Sequence, residues 1–218
     1  MMYMSLMTLD CGASALRGTY DAHQALWRAF GDHPDRTRDF IYRRTGENDF
    51  LAVSARHPDD ADGVWAIRSK EYDPRLKVGD RLFFALRVNP VRKTRDADGR
   101  QLRHDVVQDV RKQLERRGIP RDEWPTRPEI AQQAGFEWLA ARQQRLGLKL
   151  EEQGFLVDGY SQESFIKPKN RRRVRVTVLD MKGFAHVTDP DSLRDALMHG
   201  VGPAKAYGCG LLTVKRAA

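Results

Sequence analysis

The order of strand-like and helix-like segments predicts an α+β fold built from two similar small units. Each half of the chain combines short apolar runs typical of strands with amphipathic helical patterns, and a basic, turn-rich segment separates the halves. The length of 218 residues fits two units of roughly 100 residues each. We therefore expect a first unit over residues 1–90, a basic linker over 91–104 and a second unit over 105–218.

The first unit begins with a strand over 3–9 and a helix over about 20–30, for which Thr19 is a suitable N-cap. Apolar residues three and four positions apart give this helix one apolar face, formed by Ala22, Ala25, Leu26, Ala29 and Phe30. Two strands joined by a turn follow at 39–44 and 50–55, then an extended segment at 64–69. The clearest strand of this half is Arg81–Val88, so the order is compatible with a ferredoxin-like βαββαβ unit.

The second unit shows a similar order of elements. Helical patterns cover 105–117 and 136–148, and strands are expected within 154–166 and at 173–179. We expect Lys182-Gly183 to turn a hairpin, a helix to run from Asp189 or Asp191 to His199, and a last strand at 211–214. The predicted architecture is thus two tandem ferredoxin-like domains.

Composition excludes several classes of protein. No apolar run approaches the ~18 residues of a membrane span, so we expect no integral membrane protein. The first ten residues lack the basic start of a signal peptide. Two cysteines, Cys11 and Cys209, cannot build a disulfide framework or a four-thiolate zinc site, which favours the cytoplasm.

The net charge of +8 is partly concentrated in one short segment. Six cations lie between residues 167 and 175, in what we call the basic segment: Lys167, Lys169, Arg171, Arg172, Arg173 and Arg175. Concentrated positive charge favours a polyanionic partner such as nucleic acid. The alternative interpretation is a solvated hairpin.

Residues 200–210, the glycine-rich loop, form a second candidate site. Gly200, Gly202, Gly208 and Gly210 allow close backbone approach to an anion, and Lys205 adds a positive charge. The segment is neither a Walker A motif nor a dinucleotide-binding fingerprint, because it lies between a helix and the last strand. The alternative interpretation is an ordinary glycine-rich turn.

Tyr20 and His23 form the third candidate. Their i, i+3 spacing places both on one face of the first helix. Such a pair can move protons without a metal, as activation of an RNA 2′-hydroxyl requires. The sequence contains no metal-binding motif, so we expect neither a metal ion nor another cofactor. The alternative is a half-buried structural histidine beside a surface tyrosine.

Four segments together resemble the CRISPR repeat-RNA endoribonucleases of type I-E Cascade, the CasE family. They are the Tyr-x-x-His helix at 20–27, Arg-Asp-Phe-Ile-Tyr at 38–42, Leu-Arg-Val-Asn-Pro-Val-Arg-Lys at 86–93 and the glycine-rich loop with its continuation to Leu212. These segments occur in the family's order, so the resemblance covers essentially the whole chain. The glycine-rich loop is the most specific of the four.

The resemblance implies two tandem ferredoxin-like domains that bind the repeat stem-loop of pre-CRISPR RNA and cut at its 3′ base. It implies a metal-independent reaction with a 2′,3′-cyclic phosphate and a 5′-hydroxyl as products. The mature crRNA usually stays bound, and the enzyme becomes a Cascade subunit that contacts other subunits.

Residue roles follow from the same resemblance. His23 is the expected general base or acid and Tyr20 assists it, while the order of proton transfer stays open. Lys205 and the adjacent glycines would hold RNA backbone, and the basic segment would grip the stem in its major groove. Some relatives have an arginine directly after the histidine, where this chain has Gln24, so another residue must replace it if that arginine aids the phosphate.

Three other functions are compatible with the charge and fold. A non-catalytic subunit that holds a stem-loop RNA is the main alternative, and only Tyr20 and His23 separate it from an enzyme. The others are a metal-dependent nuclease and a protein-interaction subunit with no direct RNA contact.

Overall fold

The computed structural model describes residues 2–10, 19–31, 37–60, 62–95, 98–166, 171 and 173–217. Within these ranges the chain has an α+β architecture with antiparallel sheets. The strands are β1 Tyr3–Leu9, β2 Phe40–Arg44, β3 Asp49–Ser54, β4 Trp65–Glu71, β5 Arg81–Val88, β6 Val91–Arg95, β7 Gln101–Asp105, β8 Leu148–Leu150, β9 Leu156–Ile166, β10 Arg173–Val187 and β11 Leu212–Arg216. The helices are α1 Thr19–Phe30, α2 Val106–Arg116, α3 Arg127–Ala140 and α4 Pro190–His199, with 3₁₀ turns at Arg121–Glu123 and Lys205–Tyr207.

The first sheet has the strand order β2-β3-β1-β4, and all its neighbouring strands are antiparallel. Helix α1 covers one face because its apolar stripe packs on the sheet, with Leu26 and Phe30 in one cluster with Phe50. The predicted strand, helix and strand pair of this unit are therefore confirmed. The extended segment expected near residue 65 is the edge strand β4, which pairs with β1.

The second sheet has the order β11-β5-β10-β8, and β9 pairs with the N-terminal part of β10. Strand β5 alternates strictly, with Leu82, Phe84, Leu86 and Val88 buried. It pairs with β10 and β11, so the expectation that it closes the first unit was wrong. The position beside β1 is occupied by β4, and Gly79 and Asp80 already bond to the backbone of Val187 in the second sheet.

Most of the described residues between 91 and 104, expected to be a linker, belong instead to the paired strands of a β6–β7 hairpin. The hairpin follows β5 closely and leads directly into α2. Asp105 caps this helix, since its Oδ1 accepts hydrogen bonds from the amides of Val107 at 2.9 Å and Gln108 at 3.2 Å. Asp189 caps α4 in the same way, as one of the two predicted alternatives.

Strand β10 runs without interruption through Lys182-Gly183, where a hairpin turn was expected. Gly183 is needed for close approach rather than for a turn. An added Cβ would lie 3.1 Å from Phe155 Cα and 3.3 Å from the Gly154 carbonyl oxygen. The real hairpin joins β9 to β10, with Ile166 opposite Arg173, and the residues that connect them lie outside the described ranges apart from Arg171.

The two sheets are joined by a small apolar cluster. Ile41 and Val53 pack with Met2 and Leu211, which brings the end of the glycine-rich loop against the first sheet. Strand β2 is consequently buried over Phe40–Tyr42, since Phe40 and Tyr42 pack on the α1 side. No helix among the described residues is long and apolar enough to cross a membrane.

The close approach at Gly183 predicts the effect of a single methyl group. Gly183→Ala should lower the free energy of unfolding by about 1–3 kcal/mol, because backbone atoms must shift to admit the Cβ. Urea titration measures this change. Gly159→Ala on the paired strand is the matched control, since its Cβ would meet only Asp180, at 3.6 Å or more. Equal stabilities of the two variants would contradict the argument.

Candidate functional site

The candidate functional side chains of helix α1 lie at the edge of its buried face. Ala22 and Leu26 are buried against the sheet, whereas Tyr20, His23 and Trp27 lie half-buried on the adjacent stripe. The i, i+3, i+7 spacing of these three side chains places them along one line of the helix surface. Their rings are in contact range, with His23 centred 6.2 Å from both Tyr20 and Trp27. The predicted Tyr20–His23 pair therefore exists.

A guanidinium contacts the imidazole. Arg38, two residues before β2, places Nη2 at 3.2 Å from His23 Nδ1. A guanidinium has only donors, so in this contact Nδ1 accepts and the ring proton of a neutral imidazole is on Nε2. The contact with Arg38 thus favours the tautomer of His23 that is protonated on Nε2.

Arg38 is held in place by aromatic rings. Its guanidinium carbon lies 5.6 Å from the Trp27 ring centre and 5.2 Å from that of Phe40. Burial lowers the pKa of Arg38, and the neighbouring Tyr42 and Tyr207 act in the opposite direction. The group nevertheless keeps its charge at neutral pH, because the pKa of arginine starts far above 7.

The second unit completes the surroundings of His23. Tyr207, in the 3₁₀ turn of the glycine-rich loop, has its ring centre 5.7 Å from His23. Phe165 of β9 lies 4.7 Å from Tyr207 and 6.1 Å from Tyr20, measured between ring centres. His23 therefore lies where helix α1, strand β9 and the glycine-rich loop meet.

One hydrogen bond fixes the loop against the first sheet. The Tyr42 hydroxyl donates to the Ala206 carbonyl oxygen at 2.9 Å. Burial raises the pKa of Tyr42, which keeps its hydroxyl protonated as the donor. The same 3₁₀ turn carries Lys205 and Tyr207, so this bond sets the position of both.

The four glycines of the loop all have positive φ, between 73° and 95°. An added Cβ at Gly200 would lie 2.9 Å from the Gly210 carbonyl oxygen, so the two ends of the loop approach closely. The amide of Gly200 donates to Ala196 and that of Gly210 to Arg87. In this structure those two glycines shape the loop, while Gly202 and Gly208 each line a cavity.

The described part of the basic segment includes two exposed arginines of β10. Arg173 and Arg175 are exposed and Val174 between them is half-buried, so the two arginines share the outer face of the strand. Arg171 is exposed before the strand, with φ of 51°. Lys167, Lys169 and Arg172 lie outside the described residues. The strand pairs with β9, whose Phe165 also lies near Tyr20.

An ion network lies beside the site. Arg87 donates to Asp180 at 2.8 Å and to Glu163 at 2.9 Å, and Arg43 of the first sheet donates to Asp180 at 3.2 Å. The network borders a cavity of about 370 Å³ that also contacts Tyr42, Tyr207 and Gly208. Burial raises the pKa of nearby Cys209 to about 12, so its thiol is not a nucleophile at neutral pH.

Sequence reasoning did not identify Arg38, Tyr207 or Phe165 as parts of the site. Arg38 belongs to a family-like segment and Tyr207 to the glycine-rich loop, but neither pattern relates them to His23. Of two further arginines near the helix, Arg17 and Arg28, the structure describes Arg28. Arg28 is 73% exposed with Asp62 3.9 Å away, and Arg17 lies outside the described residues.

Within the described ranges, no group of three or more His, Cys, Asp or Glu residues is arranged to hold a metal ion.

The chain is similar to known CRISPR-associated proteins. A family model described as CRISPR associated protein matches residues 2–216 of this chain, in which a histidine lies beside an arginine at the junction of two sheets. The CRISPR system Cascade subunit CasE of Escherichia coli (strain K12) is 30% identical over 221 residues, covering 98% of each chain.

Two further relatives agree with this match. The CRISPR-associated endoribonuclease Cse3 of Thermus thermophilus is 28% identical over 152 residues, covering 66% of this chain and 60% of that protein. A solved structure of the CRISPR endoribonuclease Cse3 bound to 19 nt RNA has the same fold, with a TM-score of 0.73 at 23% identity over 99% of this chain and 100% of the other. The chain belongs to the CasE (Cse3) family of CRISPR-associated proteins.

Proposed function

We propose that this chain is a metal-independent endoribonuclease that binds the repeat stem-loop of pre-CRISPR RNA and matures crRNA as a Cascade subunit in the cytoplasm. Membership of the CasE family and the endoribonuclease activity named for the Thermus relative support this function. The observation that carries the enzymatic part is the contact between His23 Nδ1 and the Arg38 guanidinium at the junction of the two sheets.

The proposed reaction is a transesterification within the RNA. The 2′-oxygen attacks the adjacent phosphorus while the bond from phosphorus to the 5′-oxygen breaks. The proton of the 2′-hydroxyl passes to a base, and the departing 5′-oxygen takes up a proton from an acid. The products are a 2′,3′-cyclic phosphate and a 5′-hydroxyl, so the step consumes no water and needs no redox partner.

Arg38 and His23 have coupled roles in this proposal. The Nδ1 lone pair is the basic position of the ring in this geometry, and Arg38 occupies it when no RNA is present. A phosphate is a stronger partner for a guanidinium than a neutral imidazole, because the contact is charge-assisted and can be bidentate. We expect the scissile phosphate to draw Arg38 away, which exposes Nδ1 to the 2′-hydroxyl. Arg38 thereby replaces the cation missing at Gln24.

Tyr20 and Tyr207 flank the imidazole in the proposed site. Tyr20 shares the stripe of α1 with His23, and Tyr207 approaches from the second unit. Both present a phenol that can donate a hydrogen bond to phosphate or ribose oxygens. We assign Tyr20 to orienting or assisting His23, and Tyr207 to positioning RNA at the junction.

The strand orders support two tandem ferredoxin-like domains. In the first sheet, β2-β3-β1-β4, the first and third strands of the unit are central. In the second sheet β5 and β10 are central between β11 and β9, so the same pattern appears when β6, β7 and β8 are left aside. The described residues of the first unit do not form the second helix of the motif, because residues 55–60 and 62–64 have turns and extended chain. We place the boundary between β4 and β5, at about residues 72–80, in place of residue 90.

The RNA grip is proposed to come from two places. The exposed arginines at 171, 173 and 175 extend from the β9–β10 hairpin and, with Lys167, Lys169 and Arg172, suit the phosphates and groove of a stem. Lys205 contributes from the glycine-rich loop, whose glycines keep the loop close to the first sheet. Other Cascade subunits would bind elsewhere on the surface.

His23→Ala should abolish cleavage with little effect on RNA affinity. Loss of a positioned general base lowers the rate by ~10²–10⁴. Single-turnover cleavage of radiolabelled repeat RNA in EDTA, with end-group analysis, measures this rate and detects the cyclic phosphate.

A gel shift without cleavage by the unaltered protein in EDTA, with cleavage restored by Mg²⁺, would indicate a metal-dependent nuclease. Binding without cleavage in either buffer would leave only a stem-loop holder.

Arg38→Ala should slow single-turnover cleavage by about 10²–10³, the usual cost of losing one donor to a developing charge. Arg38→Met keeps an apolar stem against Trp27 and Phe40 but lacks the charge, so it should be equally slow. Recovery of activity in Arg38→Met would show that the residue only supports those rings. Arg28→Ala, which removes one exposed cation from α1, is the control and should cleave normally.

Replacing Arg171, Arg173 and Arg175 by Gln should weaken stem-loop binding and flatten its salt dependence. The slope of log K against log salt should fall by roughly 0.7–0.9 for each phosphate that is no longer neutralised. Fluorescence anisotropy between about 50 and 200 mM salt, the range in which such effects are large, gives this slope. An unchanged slope would remove the outer face of β10 from the phosphate interface.

A further inference from the structure

A second concave surface borders Lys205, at the start of the 3₁₀ turn that ends at Tyr207 beside His23. It is a cavity of about 660 Å³ between the β6–β7 hairpin, the end of α3 with the following turn, and the first half of the glycine-rich loop. Six of the residues that line it are cations, and we call it the basic cavity: Arg92, Lys93, Arg103, Arg142, Arg145 and Lys205.

The charge of the basic cavity is poorly compensated. One carboxylate, Asp195, lines it, and that group pairs with His199 at 2.9 Å. Arg92 forms an ion pair with Asp109. Across the described ranges of the chain, no carboxylate forms an ion pair with any of the other five cations. Five cations therefore converge here without an ion-pair partner among the described residues, which is the arrangement that an anionic ligand stabilises.

Electrostatic effects within the cavity agree with this description. Burial, and then the charge of Arg145, lowers the pKa of both Lys205 and Arg142. Asp195 acts against this lowering at Lys205. Arg145 therefore lies close enough to both side chains for its charge to destabilise their charged forms. A bound phosphate would offset the repulsion between Arg145 and these two cations.

The shape of the cavity favours a single strand over a duplex. Its volume falls within the range of small-molecule sites, enough for a nucleotide or two but not for a double helix. The Arg142 guanidinium lies 3.8 Å from the ring centre of Trp138, which is 5% exposed, so a planar cation covers the indole. Cationic grooves with planar stacking surfaces are typical of single-stranded nucleic acid sites.

We propose that the basic cavity is a second RNA site, which binds phosphodiester groups of the single-stranded RNA that flanks the stem. This inference rests on the proposed function, since it assumes that the stem lies at His23. Lys205 at the cavity and Tyr207 at His23 are two residues apart in the same turn. A strand that leaves the stem at His23 therefore reaches the cavity across one short turn of chain.

The test uses the full chain with the His23→Ala substitution, to prevent cleavage, and two fluorescent RNAs. One is a short oligouridylate, and the other is the repeat stem-loop trimmed of all flanking nucleotides. The triple variant Lys93→Gln, Arg103→Gln, Arg145→Gln should bind the oligouridylate about tenfold or more weakly. Its log K against log salt slope should fall by about 2, at ~0.7 per single-strand phosphate contact. Binding of the trimmed stem-loop should be unchanged.

The control triple variant Arg68→Gln, Lys70→Gln, Arg116→Gln removes the same charge from positions outside the cavity and should bind both RNAs normally. Equal weakening of both RNAs by the cavity variant would place the cavity in the stem interface and overturn the inference. So would equal oligouridylate binding by the two variants. If the parent chain binds the stem-loop but not the oligouridylate, only this inference fails. If it binds neither RNA, the proposed function fails as well.

Discussion

The site at His23 depends on the docking of the glycine-rich loop onto the first sheet. The hydrogen bond from the Tyr42 hydroxyl to the Ala206 carbonyl holds the loop there, and Leu211 packs with Ile41 just beyond it. Removing a buried partner of this kind leaves an unpaired polar group, at a cost of about 1–3 kcal/mol. Without this docking Tyr207 would not reach His23, and the glycine-rich loop would not line the site.

The carboxylates at this junction hold the two sheets together. Asp180 and Glu163 are half-buried, where they hold Arg87 and link Arg43 of the first sheet to the second. The cations assigned to RNA binding in the proposals lie on the outer face of β10 and in the basic cavity. An RNA backbone would meet these cations, while Asp180 and Glu163 are already occupied by arginines that position the sheets. Arg38 is half-buried, partly desolvated and in contact with the imidazole of His23.

Periodic patterns predicted the elements but not their partners. The apolar stripe of α1 and the alternation in β5 are local signals, and both elements formed where expected. Which sheet receives β5 depends on strands far along the chain, as when Lys182 of β10 lies opposite Ala85, and alternation carries no such information. The turn expected at Gly183 was wrong because glycine serves turns and close approaches alike, and only the position of Phe155 distinguishes the two.

The same limit explains the candidate site. Tyr20 and His23 could be paired because helical spacing fixes their separation, whereas Arg38 lies in irregular chain before β2, where no period relates it to His23. Yet Arg38 determines which imidazole nitrogen has a lone pair facing it, and hence how the histidine can act. In the proposed mechanism, a group that only donates, held against a proton acceptor by two aromatic rings, blocks the base until a better acceptor arrives. A substrate phosphate would be such an acceptor, so the proposed arrangement would couple exposure of the base to the presence of the bond that is cleaved.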